Sequence, residues 1–307
     1  MPEPRPILTI GHSPDPDDAF MWWPLGNAEP GAEREPTIDA GRFRFRAVPA
    51  DIESLNLRAS ERGDLDVTAM SAHAYPHARG RYRITSCGAS MGDGFGPKVV
   101  AREARGVDWL RSAERLIAVP GERTSAYLAL RMLAGRAFGH VVVDFDRIIE
   151  VVAAGERVGG VGAPDAGLVI HEGQLTYARD GLTQVVDLGA WWKERTGGPL
   201  PLGLNCVRRD LDERFGPGAL EELNTTLRRS VEHAMERRET GLGVAMGYAR
   251  GLTLEDADTF VGMYVNRLTV DMGREGVGAI ARLLREGAGL GLCPEPGEID
   301  VLGVGRG

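Results

Sequence analysis

The sequence is most informative first in what it lacks. No apolar run reaches about 18 residues, so nothing in it reads as a membrane-spanning helix. The segment Met1 to Gly11 has no basic stretch followed by an apolar one, and so does not read as a secretory leader. Cysteine is scarce: Cys87, Cys206 and Cys293 are odd in number and far apart. They form neither a CxxC pair nor a disulfide framework, which fits a reducing, cytoplasmic setting. Basic residues are outnumbered, 36 Lys and Arg against 44 Asp and Glu, for a formal net charge of −8. Arg42, Arg44 and Arg46 alternate along one strand-like segment, but no sustained basic stripe appears, and nucleic acid is not expected as a partner. There is no Walker loop. The glycine-rich stretch Gly88 to Gly96 precedes an apolar strand instead of following one, so it is not a dinucleotide fingerprint.

What is present is an alternation of strand-like and helix-like segments. Ile7 to Ile10 reads as a strand, followed by a turn-rich His12 to Asp18, with Asp17 or Asp18 as a helix cap. Asn27 to Gly41 reads as loop, Arg42 to Val48 as strand and Ile52 to Arg62 as helix. Strands are expected at Asp66 to Met70, Lys98 to Ala101, Leu116 to Val119, Val141 to Phe145 and Leu168 to Ile170. Helices are expected at Ala126 to Leu133 and Ile148 to Ala154. Such alternation predicts an α/β fold with mostly parallel sheets flanked by helices. Beyond Arg208 the pattern turns helical, at Leu220 to Arg238, Glu255 to Val265 and Gly276 to Leu284. This late portion must pack back onto an earlier lobe.

His171 is the sharpest chemical candidate. It directly follows the apolar strand, and ligands in open α/β sheets bind beyond the carboxyl ends of strands. A neutral imidazole with an ordinary pKa near 6.5 can accept a proton at physiological pH; a backbone-bonded structural histidine is the alternative. Thr124 and Ser125 open a helix after a strand and a Pro-Gly turn, where free N–H groups and the helix dipole favour an anion. Capping alone would also explain them. Ser71 occupies a second strand-to-helix junction.

Asp15, Asp17 and Asp18 resemble a calcium loop only superficially, given Pro14, Pro16 and the missing downstream ligands. One aspartate capping and another facing a cleft is the better reading. His73 and His77 have helical metal spacing, but Pro76 intervenes and no third ligand is evident. Trp191-Trp192 most simply packs a helix end. No metal and no cofactor are expected.

Taken in order, several blocks resemble the 1,4-dihydroxy-6-naphthoate synthase family: His12 to Phe20, Glu53 to Asn56, Gly94 to Pro97, Val119 to Tyr127, Leu168 to Glu172, and Tyr177 to Gly203 with Gln184-Val185-Val186-Asp187-Leu188-Gly189-Ala190-Trp191-Trp192. The resemblance covers nearly the whole chain, and its last two blocks are specific. It implies a two-lobed fold like that of type II periplasmic binding proteins. The first lobe is expected from 1–102 and 206–307, the second from 103–205, with a ligand cleft between them. It also implies a carbon–carbon lyase of menaquinone biosynthesis by the futalosine route, converting cyclic dehypoxanthinyl futalosine to 1,4-dihydroxy-6-naphthoate.

By the same resemblance His171 matches the family's proton acceptor, Thr124-Ser125 a substrate-binding pair, and Ala69-Met70-Ser71 a second substrate-binding stretch. Asp18 and Asn56 join the expected substrate contacts. The implied partner is a small carboxylated molecule; oligomeric state is left open. Two departures stand out. Where family members read Ser-Pro-Cys-Pro-Asn-Asp, this chain has Ser13-Pro14-Asp15-Pro16-Asp17-Asp18, and Ala69 stands where a lysine can occur. Gly155 to Ala166 is also a few residues longer than expected. Rival readings are a non-catalytic cytosolic binding protein of the same fold, and chorismate dehydratase of the same pathway, which is expected to lack a histidine at the position of His171.

Overall fold

The computed structural model describes residues 5–26, 34–135 and 138–304. Part of the expected loop Asn27 to Gly41 and the first residues of Met1 to Gly11 lie outside this range. Eleven strands among the described residues form two sheets, and the chain supplies them in an interrupted order.

The first sheet contains β1 (Ile7–His12), β2 (Arg44–Pro49), β3 (Val67–Ser71), β4 (Tyr82–Ile84) and β5 (Ser90–Gly92). The second holds β6 (Lys98–Ala101), β7 (Leu116–Val119), β8 (Gly139–Val142), β9 (Ala166–Val169) and β10 (Thr183–Asp187). The long β11 (Leu200–Arg208) returns to the first sheet, giving the order β2-β1-β3-β11-β4 with β5 also on β11. The second sheet runs β10-β6-β9-β7-β8.

The α/β class and the two lobes are as expected, but the sheets are mixed. β1 pairs in parallel with β2 and β3, whereas β11 is antiparallel to β3, β4 and β5. In the second sheet β7 is parallel to β8 and β9, while β6 is antiparallel to β9 and β10. The physical reason is the crossing itself: a strand that enters or leaves a lobe need not be fed by a helical crossover, and only such crossovers enforce parallel pairing. The crossings also fall earlier than the division at 102/103 and 205/206. The chain leaves the first sheet after Gly92 and joins the second at Lys98, then departs after Asp187 and returns at Leu200. β6 therefore belongs with the second sheet, and the start of β11 with the first.

Local sequence explains how the site is held. β9 is buried along its whole length between β6 and β7. Gly167 lets the helix Ile148–Ala154 lie directly on it, since a Cβ there would stand 2.5 Å from Ile148 Cγ2. At the end of β1, Asp15 caps the helix Pro16–Trp22, with Pro16 in the first turn where a missing N–H costs nothing. The helices Ala219–Glu236 and Leu254–Tyr264 coincide closely with the expected segments, and the former packs with Leu8, Ile10, Phe20 and Phe45 in one buried cluster. A larger core joins Met70 and Leu204 of the first sheet to Val99, Ile117 and Leu168 of the second, so the lobes share hydrophobic contact beneath the cleft. Between the helix Ile148–Ala154 and β9 the chain makes a tight turn in which Val158 N–H donates to Gly162 O at 2.9 Å. No helix among the described residues is long and apolar enough to cross a membrane.

Candidate active site

Between the sheets lies a cavity of about 660 Å³, part of it open to solvent. Its walls come from the ends of β1, β3 and β9, from β11, from the start of the helix Ser125–Ala134 and from the late helix Leu254–Tyr264. His171, Asp18, Ala69, Ser71, Thr124 and Ser125 all line it.

His171 leaves β9 through a left-handed turn, with φ of 48°, the only non-glycine residue with positive φ among the described residues. Such a conformation costs a side chain about 1–2 kcal/mol and is kept where the surroundings fix it. Its Nδ1 lies 2.7 Å from Asp15 Oδ2, and the ring of Phe145 meets it edge-on at 4.8 Å between centroids. Nε2 is buried and has no hydrogen-bond partner.

Burial alone would lower the pKa of His171, but the charge and hydrogen bond of Asp15 raise it above the ordinary value. The residues adjacent to His171 in the chain do not foretell this upward shift. Burial pushes the Asp15 carboxyl up, yet the pairing and hydrogen bond with His171 prevail and hold it below the usual range. Asp17 and Asp18 go the other way. Burial, then the nearby charge of Asp15, raises Asp17 far above a normal carboxylate and Asp18 to about 8. One ionised carboxylate beside two neutral ones results.

Other expected contacts behave differently from one another. Ala69 and Ser71 face the cavity, but the intervening Met70 points to the opposite side of β3 and is fully buried in the core, because side chains alternate along a strand. Asn56, read as a substrate contact, sits behind the wall with no exposed surface. It receives Ser71 N–H at 2.8 Å and donates to Ser71 Oγ at 3.0 Å, so it orients the serine and is not itself among the residues lining the cavity.

Thr124 does act as a cap: its Oγ1 accepts from Tyr127 N–H at 3.1 Å and donates to Gly121 O at 2.9 Å. Ser125 Oγ donates to Leu202 O at 2.7 Å and accepts from His73 N–H at 3.2 Å. Both hydroxyls are committed to the protein, and what the helix start offers a ligand is its first backbone N–H groups, which have no intrahelical acceptors. His73 is held between the carbonyls of Thr124 and Leu292, and burial lowers its pKa to about 4. It is a structural bridge, and Trp192 packs as expected, with Nε1 donating to Pro199 O.

Sequence reasoning missed three participants. Asp15 both caps a helix and pairs with His171. Gln174 and Tyr264 also line the cavity, with the Tyr264 hydroxyl 2.7 Å from Gln174 Oε1. The late helix was expected to pack back, but nothing in its periodicity shows that its end reaches the cleft. As for metals, Asp15, Asp17 and His171 bring ligand atoms within 4.8 Å of one another. The short Asp15–His171 contact is accounted for by a hydrogen bond.

A two-lobed α/β protein of the periplasmic-binding-protein type, with a buried histidine–carboxylate pair at its cleft, is the class these features define. The alkanesulfonate-binding protein SsuA from Xanthomonas axonopodis pv. citri shares this fold with a TM-score of 0.67 at 14% identity, over 96% of each chain. The chain belongs to the menaquinone biosynthesis family, whose model matches residues 8–288. It is 41% identical to the 1,4-dihydroxy-6-naphthoate synthase of Thermus thermophilus over 94% of this chain and 97% of that one. A protein of the same description from Streptomyces coelicolor is 37% identical, over 94% and 96%. The protein is an enzyme of menaquinone biosynthesis of the 1,4-dihydroxy-6-naphthoate synthase type.

Proposed function

We propose that the enzyme converts cyclic dehypoxanthinyl futalosine to 1,4-dihydroxy-6-naphthoate, with His171 as the base. The observation that carries this reading is the unpartnered Nε2 of His171 on the wall of the cleft, backed by a carboxylate on the ring's other nitrogen. His171 takes a proton from the substrate, the electron pair left behind is relayed into cleavage of a carbon–carbon bond, the severed fragment departs, and aromatisation of the remaining bicycle drives the reaction forward. The protein supplies a base, an oriented substrate and exclusion of water. Ser71 contacts the substrate from the first lobe, and the helix start at Ser125 holds one of its oxygens from the second.

The cytoplasm is the proposed setting, consistent with three free cysteines, two of them buried. A positioned base contributes about 10²–10⁴-fold, so His171→Asn should lose that factor while staying folded. Purified protein is incubated separately with the cyclic futalosine derivative and with chorismate. Product from the first alone supports the reading. Turnover of chorismate, binding without turnover of either, or full activity in His171→Asn would overturn it.

A further inference from the structure

We propose that Asp15 is the positioning residue for His171: across the cleft it accepts a hydrogen bond from Nδ1–H, fixes the tautomer that leaves Nε2 as acceptor, and balances the charge the ring takes up. The inference rests on His171 being the base and adds to that reading a second residue from the other side of the cleft. Asp15 follows β1 of the first sheet, whereas His171 follows β9 of the second.

Both oxygens of Asp15 are employed. Oδ1 accepts from Asp18 N–H at 3.2 Å and so fixes the carboxylate on its helix, while Oδ2 reaches Nδ1 at 2.7 Å. Asp15 is 2% exposed, so the contact is shielded from water and strong. The ring has little freedom to turn, held by its left-handed backbone and the edge of Phe145.

A histidine with a free choice of tautomer favours the proton on Nε2, which would present a donor to the cavity and disable it as a base. A carboxylate on Nδ1 reverses that choice. When the substrate's proton moves to Nε2, its bonding electrons stay on the substrate and the new imidazolium faces an existing negative charge.

The surroundings single out Asp15 for this role. The ionisable groups near the ring are Asp15, Asp17 and Asp18 from the first sheet's turn, the adjacent Glu172, and Arg250, which lies 3.8 Å from Glu172 and over the Phe145 ring. Asp17 and Asp18 are held neutral by burial, and Glu172 is raised by burial with His171 and then Arg250 opposing. Of these groups, only Asp15 hydrogen-bonds the ring, with Oδ2 2.7 Å from Nδ1.

The test is Asp15→Asn in the full chain, assayed on the cyclic futalosine derivative. Asparagine keeps an oxygen for the helix cap but loses the charge. We expect kcat to fall about 10²–10⁴-fold, as when the carboxylate behind a catalytic histidine is neutralised, with KM changed only a few-fold. Because Asp15 favours the imidazolium, its loss lets the ring shed its proton more easily. The acid limb of the pH profile of kcat/KM should therefore move to lower pH. A merely structural role would lower the yield of folded enzyme and leave the limb where it was.

Independently of any Asp15 variant, ¹⁵N-imidazole NMR of the unmutated enzyme, assigned by difference against His171→Asn, should show the Nδ1–H tautomer above the acid limb. An Nε2–H tautomer, or Asp15→Asn with unchanged kcat and limb, overturns the inference. If His171→Asn is inactive in that case, the base reading survives; full activity of His171→Asn removes both.

Discussion

Replacing Asp18 by asparagine should stabilise the protein, and by an amount that depends on pH in a specified way. The folded carboxyl titrates at about 8, because burial and then the charge of Asp15 oppose its ionisation more than the Ser13 N–H at 2.7 Å and His171 favour it. In the unfolded chain it titrates near 3.9. Between those values the folded state binds one more proton than the unfolded state, so stability falls as pH rises, by up to about 1.4 kcal/mol per unit. Across the window the ceiling is roughly 5 kcal/mol; sharing of protons with Asp15 and Asp17 reduces it to about 2–4 kcal/mol.

Asparagine cannot ionise, yet its oxygen still accepts from Ser13. The two proteins should be equally stable near pH 4 and diverge steadily to pH 8, with Asp18→Asn the more stable. The opposite linkage of Asp15, whose pKa is depressed, acts below pH 4 and leaves the comparison untouched. Urea unfolding at four pH values between 4.5 and 8 measures the difference. Curves that stay parallel, or an asparagine variant that is less stable throughout, would refute the account of a neutral Asp18.

Two further substitutions test the walls of the cleft. Asn56→Ala leaves the buried Ser71 N–H without its acceptor and should cost about 1–3 kcal/mol in chemical unfolding, with a raised KM as Ser71 loosens. An unchanged KM would mean that Ser71 does not meet the substrate. Gly189→Ala places a Cβ 1.8 Å from the backbone oxygen of Phe95, in the loop where the chain passes from one sheet to the other. It should destabilise by about 3 kcal/mol or more, since backbone and not a side-chain tip must give way; a melting temperature within a degree or two of the unmutated protein contradicts the packing described.

How much of this was visible in the sequence depended on how local the determinant is. β6 and β7 lie where their apolar runs predict, bounded by glycine and proline. The helix Gly273–Gly289 was read only from 276 to 284, because its terminal glycines weaken the periodic signal without ending the helix. β10 was missed, since Thr183 and Gln184 are exposed at a sheet edge and carry no apolar run. Strand direction was misjudged for the same reason that the crossings were misplaced: which strand returns to which sheet is decided by long-range packing. Strand alternation already distinguishes Met70 from Ala69 and Ser71, so that error was avoidable. The pairing of Asp15 with His171 was not readable, because it joins residues from opposite halves of the chain that only the closed cleft brings together.

The charge state of the aspartates also bears on what the cleft can bind. Among the described residues that line it there is no lysine or arginine, while three aspartates are present. A carboxylated substrate must then rely on backbone N–H groups at the helix start near Ser125 and on hydroxyls such as Ser71, against whatever negative charge the aspartates carry. With Asp17 and Asp18 neutral, Asp15 is the one charged aspartate, its Oδ2 is engaged by His171 Nδ1–H, and the site tolerates an anion. Once pH passes about 8, Asp18 ionises and adds an unmatched charge. At a separation on the order of 10 Å and an effective dielectric near 20, that costs about 1.7 kcal/mol, or a rise in KM of roughly fifteen- to twentyfold. The rise should appear between pH 7 and 9 in the unmutated enzyme and be absent from Asp18→Asn. If both profiles climb together, some other group repels the substrate, and the neutral aspartates are not what admits it.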